Sequence, residues 1–243
     1  METPFLSLII PAFNEEHRLP RTLDQVSKFL EQQSYSFEVL VVDNASTDNT
    51  SKIVKEFSDH HSYLHGIREP IPGKGSAVRT GMLAARGSYR FMADADLSMP
   101  IDQIPRFLPP LTENVEIAIG SREAEGAVRF EEPIFRHLGG RGMNTMIQLL
   151  ALPGLQDTQC GFKCFTARSA EDLFRSQTMT GWSFDIELLF IARRRGYRIQ
   201  EIAIPWYYRQ ESKVNPVKDS FQMLIDLLTI RQNASRGVYD KKN

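Results

Sequence analysis

Three apolar runs, around Leu6 to Ile10, Glu38 to Val42 and Phe91 to Ala93, each give way to polar or acidic residues, and helical spacing fills the gaps between them. The runs are too continuously apolar for strands with one wet face; they fit parallel strands covered on both sides. Between the first two, Leu19, Leu23, Val26 and Leu30 fall on one stripe of a helix expected over 19–31. After the second, Ile53, Val54 and Phe57 mark another helix, with Asp48 or Thr50 as its cap. A loop from Pro70 to Gly75 then leads into a third helix, from Ser76 to about Arg86. This alternation predicts a doubly wound α/β sheet, mostly parallel, with right-handed crossovers.

The length of 243 residues suits one large domain, or two halves sharing a sheet. A net charge of −1 gives no general attraction to nucleic acid, so a polyanionic partner is not expected. Cys160 and Cys164 are four apart, not in a C-x-x-C pair, and no signal peptide is read at the first residues. Reduced thiols in a cytosolic protein are expected. No apolar run reaches the roughly 18–20 residues that span a bilayer. Contact with lipid is therefore expected from the surface, peripherally, at the inner membrane face.

The third run ends in FMADADLSMP, which holds Asp94 and Asp96. Strand alternation would send both carboxylates to one side, at the lip of the sheet where open α/β folds bind ligands. Two such anions repel unless a cation lies between them. Mg²⁺ or Mn²⁺ answers that need, completing its shell with substrate phosphates. Gly73 and Gly75, flanking Lys74, would let backbone amides approach an anion at a helix N-terminus. The G-x-x-x-x-G-K-[ST] spacing of nucleoside triphosphatases is absent, and no G-x-G-x-x-G follows the first strand, which disfavours a dinucleotide dehydrogenase.

Beyond Pro100 the pattern loosens. Residues 101–111 read as a proline-interrupted helix, and VEIAIGSR as a strand closing on Ser121 and Arg122. Residues 123–141 lack periodicity and read as a loop over a site or a surface excursion. A helix with Met143, Ile147, Leu149 and Leu150 leads to DTQCGFKCF; GWSFDIELLFIARRRGY reads as a turn and helix, IQEIAIPWYYR as a strand broken at Pro205. In the last helix Phe221, Leu224, Ile225 and Leu228 form an apolar stripe, which would lie on a membrane, on its own domain or on a partner chain.

The motifs IIPAFNEE, VVDNASTDNT, GKGSAVRTGMLAARG, DADLSMP, IGSR, DTQCGFKCF and WSFDIELL, with SKV after Trp206, resemble those of family-2 glycosyltransferases of the GT-A fold, and more narrowly the polyprenyl-phosphate (dolichyl-phosphate) β-glucosyltransferases and their mannosyl relatives. They run from residue 8 to about 214 in the family's order. The resemblance implies one GT-A domain: a nucleotide-sugar half over 1–97, an acceptor half over 98–231 and a tail over 232–243. It implies an inverting, metal-dependent transfer of a hexose from a nucleotide diphosphate sugar to a lipid phosphate. UDP-glucose is the favoured donor, with GDP-mannose and a saccharide hydroxyl acceptor as alternatives.

By the same resemblance Pro11, Asn14 and Glu15 would line the nucleotide pocket with Lys74, and Asp43 would meet the base or ribose. Asp94 would touch the donor and, with Asp96, hold Mg²⁺ or Mn²⁺. A metal-side glutamine of the mannosyl relatives is replaced here by Ser98. Arg122, Arg136, Arg209 and Lys213 match basic positions that hold phosphates. A homodimer or a membrane partner would bring the chain to its lipid.

An acceptor phosphate monoester, with a second pKa near 6, is already mostly dianionic at neutral pH and attacks without losing a proton. A sugar hydroxyl would need a carboxylate base. Asp185 and Glu187 are the candidates, but positions two apart on a helix do not share a face, so at most one reaches the site. The plainer reading is that Asp185 and Asp157 position loops and arginines, that the cysteines pack, and that Trp182 and Trp206 are core residues.

Overall fold

The computed structural model describes residues 3–209 and 216–240. Its strands are β1 (Leu6–Ala12), β2 (Phe37–Asn44), β3 (Leu64–Glu69), β4 (Tyr89–Ala93), β5 (Ile117–Ser121), β6 (Val128–Phe130), β7 (Phe162–Thr166), β8 (Ile199–Ala203) and β9 (Pro205–Tyr207). Its helices are α1 (Leu19–Leu30), α2 (Thr50–His60), α3 (Lys74–Ala84), α4 (Ile134–Leu150), α5 (Ala167–Ser176), α6 (Phe184–Arg194) and α7 (Pro216–Ser235), with a 3₁₀ helix at Ile101–Phe107.

Seven strands form one sheet in the order β3-β2-β1-β4-β7-β5-β8. The expected half is present: β1 pairs in parallel with β2 and β4, and β2 with β3. Neither Asp48 nor Thr50 is the N-cap of α2, which is Asn49; Asp48, one residue before it, accepts the Thr50 N–H through Oδ1 at 2.9 Å. Apolar side chains fill both faces of the sheet. On one, Leu8, Ile10, Val41 and Phe91 meet α1, and Phe91, Phe107 and Phe162 pack edge to face. On the other, Ile9, Val42 and Met92 meet α3, α5, α6 and α7. Burial on both faces is the reason these strands are apolar without alternation.

Several features go beyond the sequence reading. DTQCGFKCF contains β7, which runs antiparallel between β4 and β5 and joins the two halves of the sheet. Residues 123–141 are not one loop: β6 pairs in parallel with β9, and α4 starts at Ile134, behind the N-cap Pro133. Gly139, Gly140 and Gly142 interrupt the apolar spacing of that helix without ending it. Finally, α7 turns Met223, Leu227, Ile230 and Ala234 to the core, leaving Phe221 68%, Ile225 42% and Leu228 58% exposed. Among the described residues no helix is long and apolar enough to cross a membrane.

Candidate active site

A cavity of about 820 Å³ opens at the carboxyl ends of β1, β2 and β4 and reaches to the β6–β9 ribbon, α4 and α7. Pro11, Glu15, Lys74, Asp94, Asp96, Arg122 and Asp185 all line it. The strand ends at Ala93, so Asp94 and Asp96 meet through a turn and not through strand alternation. The Leu97 amide donates to the Asp94 carbonyl at 3.2 Å, and Leu97 has a φ of +44°.

Lys74, first residue of α3, contacts Asp94 Oδ1 at 2.5 Å and lies 5.4 Å from the Trp182 ring centroid. Burial works against its ammonium, but Asp94, Asp185 and Asp96 outweigh it and hold its pKa above the ordinary lysine value. The Asp96 carboxyl is pushed up, first by burial and then by Asp94, although the Ser98 amide donates to its Oδ1 at 2.9 Å. Two carboxylates beside one lysine leave this end of the cavity short of positive charge. That donor set fits Mg²⁺ or Mn²⁺ with the rest of its shell supplied by phosphates; no group of three or more acidic, histidine or cysteine side chains suited to a metal occurs among the described residues.

Gly73 and Gly75 also serve the packing of the chain. A Cβ at Gly73, where φ is +133°, would lie 2.2 Å from the Thr180 carbonyl oxygen, and one at Gly75 would lie 2.7 Å from that of Met179. The glycines admit the 178–181 backbone, which places Trp182 over Lys74. Glu187, fully buried, anchors the same loop by accepting from the Thr178 and Met179 amides and from Tyr239 Oη. It points away from the cavity while Asp185 faces it, as their spacing requires.

At the other end, the Arg122 guanidinium grips Asp157 through Nε at 2.6 Å and Nη2 at 2.9 Å. Burial opposes the Asp157 charge, yet Arg122 brings its pKa down to about 2. Glu201 on β8 fixes the loop by accepting the Gln156 and Asp157 amides. Trp206 sits between two guanidiniums, 5.6 Å from that of Arg122 and 5.7 Å from that of Arg129. Both tryptophans thus border the cavity; Trp206 also packs against the core, while Trp182 is 37% exposed.

Other expected residues lie elsewhere. Asn14 has a φ of +50° and its Oδ1 accepts the Thr47 amide at 2.8 Å, shaping the loop behind the cavity. Asp43 is buried against Ser46, Ser51 and Arg68; it is the neighbouring Asn44 that lines the cavity and accepts the Gly73 amide at 2.8 Å. Arg136 lies on α4, its side chain outside the described residues; Arg209 is exposed and off the cavity wall, and Lys213 is outside the described residues. The Cys160 thiol is raised to about 12 by burial, and burial raises that of Cys164 as well, so both are packing groups.

The glycosyl transferase family 2 pattern matches residues 7–174. The chain belongs to glycosyltransferase family 2. Dolichyl-phosphate beta-glucosyltransferases are among its relatives: that of Drosophila melanogaster is 38% identical over 240 residues, covering 93% of this chain and 74% of the relative. The human protein is 35% identical over 254 residues, covering 98% and 78%. The fold matches glucosyl-3-phosphoglycerate synthase from Mycobacterium tuberculosis, crystallised with Mn²⁺, UDP-glucose and phosphoglyceric acid, with a TM-score of 0.65 at 19% identity over 93% of this chain and 79% of that one. It is the GT-A fold.

Two residues of this family-2 transferase escaped the sequence reading. Arg129 had no motif to mark it; only the pairing of Arg129 with Trp206 across β6 and β9 turns it inward. There it meets Glu132 at 2.6 Å and also Glu123. Lys163, 1% exposed in the middle of β7, contacts Asp185 Oδ1 at 2.7 Å. A lysine inside an otherwise apolar strand was the available signal.

Proposed function

We propose that this transferase moves glucose from UDP-glucose to a dolichyl-type polyprenyl phosphate, with inversion at the anomeric carbon. The observation that carries this reading is one cavity with an acid–lysine cluster at one end and an arginine–tryptophan cluster at the other. The relatives' names supply the sugar and the lipid phosphate.

The donor diphosphate would lie beside Lys74 at the N-terminus of α3, where an ammonium and helix amides favour an anion. A Mg²⁺ or Mn²⁺ ion on Asp94 and Asp96 would neutralise charge growing on the leaving diphosphate. Trp182 would shield the Lys74 side from water. The acceptor phosphate would enter from the Arg122, Arg129 and Trp206 side and attack the sugar from the face opposite the diphosphate.

No general base is required for a phosphate dianion, and Asp185 is placed accordingly: it is buried, paired with Lys163, and positions charge rather than drawing a proton. A saccharide hydroxyl acceptor would need a base with nothing else to do. The exposed Phe221, Ile225 and Leu228 on α7, with Leu149 on α4, support a peripheral approach to the membrane that holds the lipid. The test is a donor panel with a short-chain polyprenyl phosphate and Mn²⁺ or Mg²⁺. Product from UDP-glucose alone is expected; product only from GDP-mannose, or only with a saccharide acceptor, overturns the reading.

A further inference from the structure

Lys163 is a buried cation to which neither the resemblance nor the proposed chemistry gives a role. Its ammonium touches the Cys160 carbonyl, which closes the approach to β7, and Asp185 Oδ1 at 2.7 Å in the first turn of α6. Cys160 follows Asp157 by three residues on the same loop, so the carbonyl contact ties that loop to β7. These two carboxylates, each 3% exposed, serve opposite ends of the cavity. Asp157 holds the guanidinium of Arg122, whereas Asp185 lines the cavity with Lys74 and follows by three residues the Trp182 that lies over Lys74. Loss of Lys163 would leave the Asp185 carboxylate, 3% exposed, without the cation that contacts it.

A buried ion pair is a poor device for stability alone, because an apolar pair of similar volume packs as well without desolvating two charges. What an apolar pair cannot do is hold a buried carboxylate on α6 and a loop carbonyl on the other side in one fixed arrangement. We propose that Lys163 is a positioning residue for hexosyl transfer: anchored in β7, it holds Asp185 at the start of α6 and the loop that carries Asp157, and through them sets the Trp182–Lys74 side for the donor and Arg122 for the acceptor. This rests on the reading of the cavity as a donor–acceptor site.

The experiment compares Lys163→Met, Asp185→Asn, Asp157→Asn and the double variant Lys163→Met/Asp185→Asn in the full chain. It reads the thermal midpoint, KM for UDP-glucose, KM for polyprenyl phosphate, and calorimetric binding of UDP with Mn²⁺. Asp185→Asn is expected to raise the donor KM and Asp157→Asn the acceptor KM. Lys163→Met is expected to raise both, on the order of tenfold to a hundredfold, the scale of small misplacements in a site. The double variant, which leaves no lone buried charge, is expected to regain the thermal midpoint while both KM values stay high; it also serves if Lys163→Met alone does not fold. A double variant that recovers both KM values, or a folded Lys163→Met with either KM unchanged, overturns the proposal. Should the wild type fail to glucosylate the lipid phosphate, the functional reading falls by itself. Calorimetry then decides for Lys163: UDP binding weakened in the double variant supports it, and wild-type binding there refutes it.

Discussion

The carboxylate of Asp94 fills the space beside the α-carbon of Gly161: a Cβ there would lie 1.9 Å from Oδ2 and 2.8 Å from Oδ1. Strand β7 is thereby seated directly against the acidic turn. Gly161→Ala is expected to push the Asp94 side chain off its place. That side chain is 27% exposed and can move without unfolding the core. Turnover should fall about a hundredfold, with a much smaller change in thermal midpoint. A variant at wild-type speed would show that Asp94 need not sit where it does.

Asp94→Asn and Asp96→Asn should each lower turnover by about a thousandfold, the scale of removing one preorganised electrostatic contact to developing charge. Chelator should abolish activity in the wild type, and Mn²⁺ or Mg²⁺ should restore it. Calorimetry of Mn²⁺ with UDP gives the independent check, because either variant should weaken the joint binding.

Acid should expose the Arg122–Asp157 pair. The Asp157 carboxyl ordinarily titrates at 3.8 and is held at about 2 in the folded chain. A depressed carboxyl stabilises the fold fully above its unfolded value and loses that contribution as pH falls through the folded one. The window is therefore from about pH 4 down to pH 2, and its size about 2 kcal/mol. Asp96 and Asp185 are raised and act in the opposite sense, so the measurement is the difference between wild type and Asp157→Asn. Urea midpoints taken from pH 6 to pH 3 should converge as pH falls.

Glu187→Gln replaces an acceptor of two backbone amides and of Tyr239 Oη by a group with one oxygen. In a fully buried position this should cost about 2–4 kcal/mol. The 178–181 loop should loosen with it, raising the donor KM through Trp182. Differential scanning calorimetry and donor titration would check the two effects separately.

Phe221→Ser/Leu228→Ser removes two exposed apolar groups from α7. Sedimentation with phosphatidylcholine vesicles carrying polyprenyl phosphate should fall at least tenfold, given roughly 1.5–3 kcal/mol for a large side chain withdrawn from lipid. Turnover of a water-soluble short-chain acceptor should be unchanged. Unaltered sedimentation, or a dimer that dissociates on substitution, would assign this stripe to a protein contact.

The nucleotide-side half was legible because β1, β2 and β4 are apolar on both faces, and only a doubly covered parallel sheet tolerates that. Strand β7 was not legible. Its sequence FKCFT places a lysine where a central strand should be apolar, and the partner that makes Lys163 tolerable, Asp185, comes 22 residues later. Which face of α7 is buried was not legible for a different reason: 221/224/225/228 and 223/227/230/234 are both apolar stripes at helical spacing, and only the packed neighbours choose between them. The acidic pair was found from its place at the end of an apolar run, but the geometry that joins it belongs to a turn at Leu97 and not to strand alternation. Arg129 depends on register with Trp206, and pairing of distant segments leaves no local mark.

Strand β7 lies between β4 and β5 yet is encoded after both. A ribosome that has delivered the chain only through β5 has made the acidic pair but none of the wall behind it, and β4 meanwhile offers its unpaired flank to any passing strand. Trimming the second half of the chain would therefore remove the backing of the first half's own acidic turn.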